Sequence, residues 1–92
     1  MQPAEENQHM QAMEMLNNTL REMKGELGEV DSMSLKGPKK KMAKHMHEIY
    51  DEIIELVEKY ENSHHHDDLN HAFRQIEILK PAFILNYNEI LR

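Results

Sequence analysis

The segment NSHHHDDLNHAF, residues 62–73, sets His64, His65, His66, Asp67, Asp68 and His71 close together. Imidazole nitrogens and carboxylate oxygens are the donors of zinc, nickel and copper sites, and helical ligand pairs sit four residues apart, as Asp67 and His71 do. His9, far away in the chain, would join them if the fold returned upon itself. Against a built centre, consecutive histidines on a turn point in different directions, and the helical motif His-Glu-x-x-His is absent. The expectation is therefore a solvated turn, in which Asn62 or Ser63 helps cap and Asp67 and Asp68 oppose the positive end of the next helix. Metal binding by His9, His64, His65, His66, Asp67 and His71 is the alternative, and no cofactor is expected.

A second cluster is basic. Lys36, Lys39, Lys40, Lys41 and Lys44 lie in a stretch, residues 36–47, that contains no acid, while residues 1–35 and 48–61 are both acidic and the whole chain carries a formal charge of −6. Cations in the first turns of a helix oppose the macrodipole, at a cost of about 0.3–1 kcal/mol each when nothing compensates. Glu26, Glu29 and Asp31, just upstream, are the expected compensators; contact with an anionic partner is the alternative. Nucleic acid is disfavoured by the acidic remainder, the lack of arginine in the block and the absence of interleaved aromatics. His45 and His47, two apart in the same region, are expected to pack at the core edge.

Catalysis finds little support. The chain has no cysteine, and no phosphate loop, Ser-His-Asp order or spaced carboxylate pair stands out. A non-enzymatic role is expected.

The elements that carry these groups follow from spacing. His9, Met13, Leu16, Leu20, Met23, Leu27 and Val30 alternate steps of four and three, the seam of one helix face, and predict helix 1 over residues 4–27. Gly25 and Gly28 weaken its last turn, so residues 28–37 are read as a connection ending in Gly37-Pro38. Met42, Met46, Ile49, Ile53, Leu56 and Tyr60 repeat the pattern and predict helix 2 over 38–61, with Ala43, Tyr50, Ile54 and Val57 widening its apolar arc. After a turn over 62–66, Leu69, Phe73, Ile76, Phe83, Tyr87 and Ile90 predict helix 3 over 67–91, kinked or split at Pro81. Lys80 fills the vacant place in that seam.

The expected architecture is all-α: a single domain forming an antiparallel, coiled-coil-like three-helix bundle, up-down-up, whose short chain makes self-association plausible. With no Trp, two Phe and eight Met, the core must rely on Leu, Ile and Met. Met10 and Met13 are read as core filling and Met15 as lying off the seam. No apolar run is long enough to cross a bilayer, and the opening residues lack the basic start and apolar stretch of a signal peptide, so a cytoplasmic location is expected.

One apolar feature has no place in such a bundle. Ile78, Ala82 and Leu85 form a stripe roughly 160–220° round helix 3 from its seam. This stripe, extended by Met15 or Ile54, is the expected contact surface of a small regulator, inhibitor, chaperone or adaptor that binds a protein partner or a second copy as a homodimer.

Overall fold

The computed structural model describes residues 3–92, with side chains from residue 7 onward, as three helices: α1 (Pro3–Asp31), α2 (Pro38–Ser63) and α3 (His66–Leu91). They form a slender all-α body of 52 × 18 × 18 Å in which α2 packs intimately against α3 while α1 touches α3 sparsely. Among the described residues there is no strand.

The core is one layer of side chains between the helices. Leu16, Met23, Leu27 and Val30 come from α1, Met46, Ile49, Ile53, Val57 and Tyr60 from α2, and Phe83 and Ile90 from α3, all buried in one cluster. Met13, Leu20, Met42, Leu69, Phe73, Ile76 and Tyr87 pack against it half-buried. Leu56, placed in the α2 seam by its spacing, is half-buried, and Val57 takes its position in the core. A straight helix advances 3.6 residues per turn, so a seam read in strict steps of four and three drifts; from Ile49 the buried row takes two steps of four in succession. Met10 is exposed, contrary to its expected core role.

Element boundaries also depart from expectation. The first helix continues past Leu27 to Asp31, because Val30 is buried and holds the last turn down. Gly25 and Gly28 lie on its exposed side, with no atom near the place a Cβ would occupy. Since glycine in a helix interior is worse than alanine by about 0.5–1 kcal/mol, Gly25→Ala is expected to raise stability by about that amount, read as a higher urea midpoint. At the start of α2, Gly37 adopts φ +63°, and its carbonyl accepts the amides of Lys40 and Lys41 at 3.1 and 3.5 Å, with Pro38 pre-set for the first helical position.

The expected five-residue turn is only His64 and His65. His64 ends α2 in the left-handed region (φ 58°), and its amide donates to the Tyr60 carbonyl at 2.8 Å. That is the usual stop of a helix, with histidine where glycine is commonest. The third helix starts at His66 and runs through Pro81 without a split. Pro81 is exposed, so the amide it lacks is missing on the solvent side, where water can serve the Glu77 carbonyl.

Candidate functional site

Near the start of α1 and the end of α2, His9 Nδ1 lies 2.9 Å from the Tyr60 hydroxyl, and its ring stacks on His64 at 3.9 Å and 14°. The fold thus brings His9 to His64, as a returning chain should. Burial pushes the Tyr60 hydroxyl above its ordinary pKa. The other donors stay apart: His65, His66, Asp67 and His71 are exposed, and among the described residues no three His or acidic side chains converge on a point where a metal could sit.

The polar atoms of the turn instead bond one another across it, and the expected side-chain cap on α3 is not formed. The Ser63 hydroxyl donates to Asp68 Oδ2 at 2.5 Å and accepts the His65 amide at 3.2 Å, while Lys59 lies 3.7 Å from the same carboxylate. The Ser63 hydrogen bond, above all, holds the Asp68 carboxyl below its usual range, with Lys59 and His65 adding to it against partial burial. Asp68 also sits in the first turn of α3, where the helix favours a negative charge.

The lysine block differs from expectation. Asp31 lies 2.7 Å from His47 Nε2, Glu29 accepts the Tyr87 hydroxyl, and Glu26 pairs with none of the lysines. Among the described residues Lys36, Lys39, Lys40, Lys41 and Lys44 therefore have no acid within ion-pair distance, and the first turn of α2 has no acidic residue. Distance along the chain did not decide which acid meets which base; the side of α1 on which each acid falls did. His45 is exposed beside Glu48 at 3.7 Å, so both histidines of this region sit beside acids at the surface margin rather than packing at the core edge.

Lys80, in the α3 seam, reaches out of the core to Glu22 at 3.6 Å. Beside that pair, burial first and then Glu22 and Glu29 raise the Glu26 carboxyl above the usual carboxylate range, with Lys80 pulling the other way. A carboxyl whose folded-state pKa is raised favours the fold in acid and loses that contribution as pH rises through the folded value. Glu26→Gln is therefore expected to stabilise the chain at neutral pH, with the gain vanishing at a pH below about 4, near the unfolded carboxyl's own value; urea midpoints at the two pH values check it.

On α3, Ile78 and Leu85 are 62% and 65% exposed. Ala82 between them is half-buried and leans on the core, so the stripe narrows at its middle. A shallow, mainly apolar groove beside Pro81, lined by Ile76, Lys80, Ile84 and Leu85 among others, adjoins one edge. The expected extensions do not reach it. Met15 is exposed on the side of α1 that carries Glu22 and Glu29, one and two heptads on, and those acids meet the opposite flank of α3 at Lys80 and Tyr87. Ile54 is half-buried on the flank of α2 that it shares with His47, which meets α1 at Asp31. Spacing had not drawn attention to Arg74 and Glu89, four residues before Ile78 and four after Leu85, which bracket the stripe with opposite charges.

No helix among the described residues is long and apolar enough to cross a membrane. Comparison with protein-family models, with curated proteins and with solved structures finds no match.

Proposed function

We propose that this chain is an antiparallel, up-down-up bundle that works as a non-enzymatic protein-interaction module, docking its partner on the outer stripe of α3. The direction of the helices is supported by contact pairs. Glu22 and Glu29 of α1 meet Lys80 and Tyr87 of α3 in the same order, whereas His9 and Asp31 of α1 meet Tyr60 and His47 of α2 in reverse order. One observation carries the functional reading: Ile78 and Leu85 stand in solvent on a helix whose inner side is already occupied by Phe83 and Ile90. The monomer gains nothing from them, while a partner surface gains roughly 1.5–3 kcal/mol for each such side chain fully buried.

Affinity capture from the native cell, with Ile78→Lys plus Leu85→Lys as the paired bait, tests the reading. The wild type is expected to retain a partner that the double variant loses while keeping its helical circular dichroism. Equal capture by both baits refutes the stripe as the docking surface.

A second reading has its own support in the five unpaired lysines at the start of α2. They suit an anionic protein surface, and the two surfaces separate by salt: binding through the lysines weakens steeply with ionic strength, binding through the stripe does not.

A further inference from the structure

The exposed apolar pair Ile78 and Leu85 of α3 has a base, Arg74, beyond one end and an acid, Glu89, beyond the other. At about 100° per residue, Ile78 and Leu85 both fall within about 10° of one line pointing outward from the helix axis midway between Pro81 and Ala82. Arg74 and Glu89, about one turn beyond each end of the apolar pair, lie within about 30° of the same line and so share its face. A two-fold axis lying against that face at the height of Pro81 and Ala82, perpendicular both to the helix axis and to that line, would set a second, antiparallel α3 on the face, with Ile78 opposite Leu85 of the copy and Arg74 beside Glu89 of the copy. Each pair then occurs twice, as in an isologous interface. At the axis itself stand Pro81 and the half-buried Ala82, whose small side chains let two helices approach closely.

We infer that the stripe is covered by a second copy of this chain, with the two α3 helices antiparallel and crossing at Pro81 and Ala82. This rests on the reading of the stripe as an interaction surface and names its occupant. Charge decides both the occupant and the direction. Arg74 is exposed and, among the described residues, has no acidic partner in its own chain. Glu89 has only the exposed Arg92 of the same helix, at 3.1 Å. A parallel pair would set Arg74 against Arg74 and Glu89 against Glu89, whereas the antiparallel pair sets opposite charges together at both ends. The area is that of one helix face, so the dimer belongs to the weak and concentration-dependent class.

The chain contains no cysteine, so introduced ones report unambiguously. Ile78→Cys and Leu85→Cys chains, mixed and mildly oxidised, are expected to form a disulfide-linked pair at least about tenfold faster than either variant alone, because like positions in the antiparallel pair are too far apart to bridge. Equal rates in all three samples, or fastest linkage by Ile78→Cys alone, overturn the pairing. Sedimentation equilibrium gives the independent arm: Arg74→Glu is expected to weaken the dimer about tenfold, through two like-charge contacts, and adding Glu89→Arg to restore it. The double charge-swap chain should pair with itself and not with the wild type. A wild type that stays monomeric up to about 1 mM, well above the range of even a weak specific complex, overturns self-pairing. It leaves the capture experiment to decide whether the stripe serves another protein, so the two readings fail separately.

Discussion

Phe83→Ala is expected to cost the fold about 3–5 kcal/mol, a large part of the roughly 5–15 kcal/mol that holds a domain of this size together. Phe83 is fully buried in the second half of α3, and the chain has only two phenylalanines, the other half-buried, with no tryptophan to share the load. It belongs to the one core cluster of a body only 18 Å across, and a close-packed interior cannot close the void left by a phenylalanine ring without moving backbone. Phe83→Leu, which keeps most of the volume, is expected to cost less than about 1.5 kcal/mol. Urea unfolding followed by circular dichroism measures both, and a loss below about 1 kcal/mol for alanine would show that α3 is not docked as described.

The second large effect lies in α2 and separates two residues that spacing treats alike. Ile53→Ala is expected to cost about 2–5 kcal/mol, because the side chain is fully buried in the core. Leu56→Ala is expected to cost no more than about 1.5 kcal/mol, since that side chain is half-exposed and stands outside the core cluster. The same unfolding series decides it. Equal losses at the two positions would restore the strict heptad seam and move Val57 out of the core.

That contrast marks how far the sequence could be read. The three helices and nearly all their inward residues follow from apolar spacing, because the spacing expresses the same requirement that packing does: Leu16, Met23, Ile49, Ile53 and Phe83 recur where one face must meet two others. Boundaries were less legible. Gly25 and Gly28 suggest an early stop only while burial of Val30 is unknown, and the histidines look like a long turn only while the left-handed stop at His64 is unknown. The site is harder still. Exposure of Ile78 and Leu85 follows from their phase relative to Phe83, but the fate of each acid does not. Glu26, Glu29 and Asp31 are near Lys36 and Lys39 in the chain, yet Asp31 meets His47 and Glu29 meets Tyr87. Such partners depend on how the helices are rotated against one another, which spacing along one helix does not encode.

The central claim is that the outer stripe of α3 serves contact between chains and contributes nothing to the fold of one. Thermal and urea unfolding of Ile78→Lys plus Leu85→Lys, at a dilution where the chain is monomeric, tests it most directly. Substitutions at surface positions away from caps and core usually stay within about 0.5 kcal/mol of the wild type, and that is the result expected here, with helix content unchanged. A loss above about 2 kcal/mol, the size produced by disturbing a core, would contradict the claim: Ile78 and Leu85 would then belong to the interior, and α3 would be rotated from the position described.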